Sequence, residues 1–191
     1  MSKVKYILAS RSPRRKELLS KIVDEFEIIT RETDESLPAG VHPKEGVELL
    51  AVRKGKAVAD EISSDHLVIS SDTLVELDGV PLGKPIDVED AVSMLITLSG
   101  KAHNVHTGVA IHYNGRVFSG SDTSRVIFKS FDENEAHEYV ATGEPMDKAG
   151  SYAIQGIGAR LVEKYEGDFD TIVGLSLKLT KRLIDEAVAN D

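Results

Sequence analysis

The chain has 191 residues, 41% hydrophobic and 29% charged, long enough for one domain or two small lobes around a sizeable core. Its 23 lysines and arginines against 32 aspartates and glutamates give a net charge of −9, which argues against a grip on long nucleic acid or on an anionic membrane. It has no cysteine, which excludes disulfides and thiolate chemistry and is compatible with a reducing cytosol. No apolar stretch approaches the roughly 20 residues that span a bilayer, and the run Tyr6–Ala9, followed by Arg11, Arg14 and Arg15, is too short for a signal peptide.

Tyr6–Ala9 predicts a first strand, and Ser12-Pro13 a helix start with Ser12 as N-cap and Pro13 at the first helical position. Arg14 and Arg15 then fall in the first turn, where the helix dipole disfavours cations. A solvated helix face is the plain reading. An anion sharing the space would offset the penalty, since helix N-termini after strands bind phosphate and arginine adds paired donors. Glu27–Thr30 predicts a short strand, and Thr30–Gly40 a polar loop holding Asp34 and Glu35. Pro43 opens a helix to about Glu61, with Val47, Leu50, Ala51 and Val58 at helical spacing. Arg53, Lys54 and Lys56 on it read, in isolation, as a wet face.

His66–Ser70 predicts a buried strand that runs on toward a hairpin at Asp78-Gly79. Asp87 caps the next helix, Ala91, Met94, Leu95 and Leu98 form its apolar face, and Gly100 ends it. Strands over Asn104–Tyr113 and Arg116–Ser119 flank the hairpin signal Asn114-Gly115, and Ser124–Lys129 predicts another strand. Asp132-x-x-Glu135 is a capping box for a helix ending near Gly143. Lys148–Gly174 predicts loops with two short strands, and Leu177–Ala189 a last helix. Alternating strands and helices with several hairpins predict an α/β fold with a mixed sheet.

Asp72, in ISSDT, is the most informative acid. It follows an apolar strand, where ligands bind in α/β sheets, and burying it without a partner is costly. An N-cap or turn role is its plain alternative. Lys84, between Gly83 and Pro85, reads equally as a turn lysine and as a ligand-facing one. Asp34-Glu35 and Asp72 are two carboxylate sites suited to sharing a divalent ion on a phosphate substrate, although most loop acids are only solvated. There is no G-x-x-x-x-G-K-[ST] run, and Gly156-Ile157-Gly158 lacks the third glycine of a dinucleotide fingerprint. His103 and His106 read as strand histidines without a zinc pattern. The residues alone point to a small phosphoester enzyme or a nucleotide binder.

Seven stretches, in order along the chain, together resemble the Maf family of nucleoside triphosphate pyrophosphatases. They are LASRSPRRKELL (Leu8–Leu19), TDES (Thr33–Ser36), the lysine of VRKGKA, ISSDTLVELDGVPLGKP (Ile69–Pro85), LSGKAHNVHTGVAI (Leu98–Ile111), YVATGEPMDKAGSYAIQGIGA (Tyr139–Ala159) and IVGL (Ile172–Leu175). The resemblance implies one Maf-like domain over 1–191, with two lobes and a central cleft at a curved mixed sheet flanked by helices, related to the inosine triphosphate pyrophosphatases. It implies hydrolysis of a nucleoside triphosphate to the monophosphate and pyrophosphate with Mg²⁺ or Mn²⁺. The Pro-Arg-Arg, Ser-Asp-Thr and Ile-Gln-Gly versions look like the branch acting on dTTP and UTP rather than the 7-methyl-GTP branch. Asp72 then matches the proton acceptor, and Arg14, Thr73 and Gln155 match positions that set base preference. Ser10, Arg15, Glu35, Lys54 and Lys84 match the rest of the phosphate and metal site, with Glu35 and Asp72 as metal ligands. A cytoplasmic location, a homodimer and a link to septum formation and division arrest are further expectations. The alternatives are a nucleotide-binding division regulator without turnover and a pyrophosphatase for other, modified nucleotides. Two departures are Gly55, where alanine is common, and Ser176, where proline is usual. The first is expected only to loosen its helix by about 1 kcal/mol, the second to matter little.

Overall fold

In the computed structural model, which describes residues 4–189, strands β1 (Lys5–Leu8), β2 (Phe26–Ile28) and β3 (His66–Leu77) run parallel, with Tyr6 opposite both Phe26 and Leu67. Helices separate them in sequence: α1 (Pro13–Leu19) and α2 (Pro43–Ala59) are the crossovers that parallel pairing requires. β4 (Val80–Leu82) folds back antiparallel on the end of β3, with Val75 opposite Leu82. After α3 (Val88–Leu98) come β5 (Ala102–Tyr113) and β6 (Arg116–Phe128), joined by the left-handed Asn114-Gly115 pair. α4 (Glu133–Val140) carries the predicted capping box in full. β7 (Val162–Glu166) pairs antiparallel with β6, and α5 (Phe169–Val173) and α6 (Leu177–Ala189) close the chain. The sheet order is β2-β1-β3-β5-β6-β7, with β4 on β3. This is the mixed α/β sheet, flanked by helices, that the sequence predicts.

The residues group into two compact units. One contains the chain up to Asp72, Thr107–Asp122 and the chain from Gly174; the other contains Thr73–His106 and Thr123–Val173. In the first, Val58 of α2 packs on Ile7 and Val68, so α2 lies on the β1–β3 face. In the second, the rings of His103, Phe128 and Tyr152 meet edge to face, the Phe128–Tyr152 centroids 4.7 Å apart. Among the described residues no helix is long and apolar enough to cross a membrane.

Three expectations change. The two strands predicted over Arg116–Ser119 and Ser124–Lys129 are one strand of 13 residues, β6. Gly120-Ser121-Asp122-Thr123 has the composition of a turn, but strand pairing overrides local preference. Lys148–Gly174 holds one strand, not two, because left-handed backbone at Gly150 and Ser151 diverts the chain into 3-10 turns at Ala149–Ser151 and Gly156–Leu161. Ser176 does matter: it is fully buried, its hydroxyl accepts from the Leu179 N–H at 3.3 Å and donates to Asp122 at 3.0 Å, and so it caps α6.

Candidate active site

The loop between β1 and α1 starts at the sheet, where the Ala9 N–H still donates to the Ile69 carbonyl at 2.8 Å. Ser10 is buried, and its hydroxyl accepts from the Ser12 N–H at 3.2 Å. Ser12 caps α1 as predicted, accepting from the Arg15 N–H at 3.4 Å. Arg15 Nε donates to the Gly174 carbonyl at 2.7 Å. Burial pulls the Arg15 guanidinium below its ordinary value; Asp72 and Glu35 oppose that shift and Arg14 adds to it. Asp72 and Glu35 are thus close enough to act on the charge of Arg15, and Arg14 is close enough to oppose them there.

α2 supplies the centre of the site. Lys54 Nζ lies 2.5 Å from Asp72 Oδ1 and 2.8 Å from Glu35 Oε1, one ammonium bridging two carboxylates. Its side chain is 18% exposed and that of Asp72 11%, whereas Glu35 is 55% exposed and opens the cluster to solvent. Lys54 is thus no wet-face residue; the apolar stem of a lysine lets its head reach inward from a helix side. Arg53 explains why Glu35 meets it. The Arg53 guanidinium donates to the carbonyls of Asp34 at 2.5 Å and Ser36 at 2.9 Å, strapping the loop to α2. Asp34 is not merely solvated either: it accepts from the Ser36 N–H and hydroxyl, both at 2.8 Å, which hold its carboxyl below the ordinary value.

Asp72 lies within β3, five residues before its end, not at a strand terminus. The two serines before it are spent on backbone. Ser70 Oγ donates to the carbonyl of Ala51 at 2.7 Å, and Ser71 Oγ to those of Gly108 at 2.8 Å and Gly174 at 3.1 Å. These bonds seat β3 against α2 and β5 and leave Asp72 as the acid that faces the cluster. Gly55, beside Lys54, has a sharper role than looseness. A Cβ there would lie 2.5 Å from Ser70 Oγ and 2.6 Å from His112 Nδ1, so only glycine lets α2 approach this closely.

The structure brings together Lys54, Asp72 and Glu35, sets Arg15 where both carboxylates act on its charge with Arg14 beside it, and places Ser10 in the same unit. Thr73, Lys84 and Gln155 belong to the other unit: Thr73 follows Asp72 on β3, Lys84 is exposed after β4, and Gln155 precedes a 3-10 turn. Sequence reasoning missed Arg53 as the loop strap and Gly174 as an acceptor for both Arg15 and Ser71. The only sequence signal for Gly174 is its place in IVGL. It also missed that His106 has a carboxylate partner, Glu76, at 2.6 Å. Glu35 and Asp72 both meet the Lys54 ammonium, and their carboxylate oxygens are hard donors, of the kind that suits Mg²⁺ or Mn²⁺ better than softer metals.

Fold and site together define a mixed α/β protein with a carboxylate–ammonium cluster beside paired arginines, the donor set of a phosphate-handling protein. The fold is shared with the solved structure of the Staphylococcus aureus Ham1 protein, at a TM-score of 0.50 and 14% identity over 97% of this chain and 95% of that one. Residues 5–187 match the model of the Maf-like protein family, and the chain belongs to that family. It is 47% identical to the dTTP/UTP pyrophosphatase of Bacillus velezensis, over 94% of this chain and 95% of the relative. It is 48% identical to that of Pelotomaculum thermopropionicum, over 90% of each, and 39% identical to that of Clostridium botulinum, over 97% and 100%.

Proposed function

We propose that this chain hydrolyses dTTP and UTP to the monophosphate and pyrophosphate. The observation that carries this reading is the Lys54 ammonium set between Asp72 and Glu35 beside Arg15, in a member of the Maf family whose relatives bear that activity in their names. Ser10, Arg14 and Arg15 bind phosphate oxygens, and Lys54 neutralises charge that develops on them. Asp72 orients a water and takes its proton as the water oxygen bonds to the α-phosphorus. The bond from that phosphorus to the bridging oxygen breaks, and pyrophosphate leaves with the electron pair. Glu35 and Asp72 are the residues to hold Mg²⁺ or Mn²⁺, which when bound polarises the phosphate and balances its charge. For Thr73, Lys84 and Gln155 the support is the resemblance alone: Lys84 as a phosphate ligand, Thr73 and Gln155 as readers of the base. A glutamine amide pairs a donor with an acceptor, as a pyrimidine edge requires. The same reading carries a cytoplasmic homodimer that binds neither long nucleic acid nor membrane, consistent with the charge of −9.

The test is a panel of nucleoside triphosphates with Mg²⁺ or Mn²⁺, resolving pyrophosphate from phosphate release. Pyrophosphate chiefly from dTTP and UTP is the expected result. Pyrophosphate from other nucleotides instead would keep the reaction and overturn the base reading. Nucleotide binding without turnover would replace the enzyme by a binder.

A further inference from the structure

The segment Ala153–Gly158 carries Gln155 and is held at both ends by two residues of the same unit, Tyr139 and Glu144. Tyr139, in the last turn of α4, is fully buried. Its hydroxyl donates to Glu144 Oε2 at 2.5 Å and accepts from the Ala153 N–H at 3.1 Å. Burial, and then Glu144, push the Tyr139 hydroxyl above its ordinary value, so it stays a donor. Glu144 Oε1 accepts from the Ile157 N–H at 3.1 Å and Oε2 from the Gly158 N–H at 2.9 Å. These N–H groups open the 3-10 turn Gly156–Leu161 and have no partner within it. Gly156, immediately before them, has φ +84, and a Cβ there would lie 2.3 Å from Glu144 Oε1. The carboxylate occupies the space a side chain would need.

Gln155 itself makes no capping bond to the turn it precedes. Its main chain is fixed two residues before it and two and three residues after it, by groups other than its own amide. We infer that Tyr139 and Glu144 are positioning residues for base selection, setting the place from which the Gln155 amide meets the pyrimidine. This rests on the reading of Gln155 given above. An amide turned over suits cytosine as well as uracil, because its donor and acceptor exchange places. The held main chain does not fix that rotation; it fixes where the amide reaches the base, and with it how well the uracil-matched orientation is met.

The experiment uses the full chain and compares kcat and KM for UTP and CTP in Glu144→Ala, Glu144→Gln, Tyr139→Phe and Gln155→Ala. Glu144→Ala is expected to lower the UTP-over-CTP preference roughly tenfold through KM, with kcat within about threefold. Glu144→Gln keeps one acceptor oxygen, enough for Tyr139 and Gly158, but sets its NH2 against the Ile157 N–H, so it should recover part of the preference; Tyr139→Phe should likewise fall between Glu144→Ala and the unsubstituted protein. If Gln155→Ala leaves the preference intact, the reading of Gln155 fails and this inference with it. If Gln155→Ala abolishes the preference but Glu144→Ala matches the unsubstituted protein in both KM values, the inference alone is overturned. Should Glu144→Ala not fold, Glu144→Asp, shorter by one methylene, is read by the same criteria.

Discussion

Asp72 and Glu76 stand four positions apart on β3, each a buried carboxylate with a nitrogen partner, and the two regions are finished differently. Glu76 Oε2 meets His106 Nε2 at 2.6 Å and Asn104 Nδ2 at 3.4 Å, while Oε1 accepts from the Gly79 N–H at 2.8 Å. His106 Nδ1 lies 2.7 Å from the Thr123 hydroxyl. Both side chains are closed off, at 8% and 3% exposed. Burial pushes the Glu76 carboxyl up, but His106, the Gly79 N–H and Asn104 outweigh it and hold the carboxyl below its ordinary value. The Asp72 cluster instead ends in a half-exposed Glu35 and relies on the single Lys54 ammonium. Closure and a full set of fixed donors suit a structural pair; an exposed edge and a single ammonium suit the working role proposed for Asp72.

The largest expected effect tests the working side. Asp72→Asn should lower pyrophosphate release by about 10²–10⁴-fold, with the thermal unfolding midpoint nearly unchanged. A stability loss without a rate loss would exchange the roles assigned to the two regions. On the structural side, Glu76→Ala should cost roughly 3 kcal/mol in denaturant unfolding, because three donors lose their acceptor. Turnover per folded molecule should stay within about threefold; a collapse of kcat would place Glu76 in the chemistry.

A third expectation concerns pH. Burial lowers His103 from 6.5 to about 4, and His112 is lowered by burial as well. Unfolded histidine takes its proton near 6.5 while native His103 waits until about 4, so this stability is complete above 6.5 and is lost as pH falls toward 4. The lowered Glu76 carboxyl acts in the same direction, its contribution fading only below the ordinary carboxylate value of 4.5. Unfolding free energies at pH 7 and pH 5 should differ by up to about 2 kcal/mol from His103, and His103→Gln should remove that part. An unaltered slope in that variant would assign the pH dependence elsewhere. The smallest effect sharpens the Lys54 side. Gly55→Ala should destabilise by about 1 kcal/mol net, overpacking exceeding the gain in helix propensity. His112→Ala should relieve it; a stabilised Gly55→Ala would show that α2 is not seated by that contact.

What the sequence revealed was local. The capping box Asp132/Glu135, the Ser12 cap, the Asn114-Gly115 turn and the apolar face of α3 depend on neighbours within a few residues, and all appear in place. β6 was misread because residues 120–123 resemble a turn until the sheet pairs them. At the site, the residue types were legible but not their pairing. The spacing within α2 does carry one signal, since Lys54 falls seven after Val47, four after Leu50 and four before Val58, on the buried face, whereas Lys56 lies off it and meets Asp60 on the surface; what α2 does not tell is which acids Lys54 meets. The contact of Lys54 with Asp72 spans 18 positions and that of Arg15 with Gly174 spans 159, distances over which spacing carries no information. Gly55 looked like a defect because helix propensity counts only the helix, not the His112 ring beneath it.

The adjacent Arg53 and Lys54 grip one loop twice, through its backbone and through the Glu35 side chain, and Leu37 then lies against α2 where a Cβ on Gly46 would come within 2.8 Å of it. The exposed residues 38–40 beyond this anchor bear no part of the site. Residues inserted there lengthen an exposed turn, closed by the Val41 N–H on the Pro38 carbonyl at 3.3 Å, at a cost that grows only slowly with loop length, while Glu35 keeps its place. The loop can thus change in length without moving the Glu35 carboxylate, which makes it the natural point for grafting a tag or a second domain.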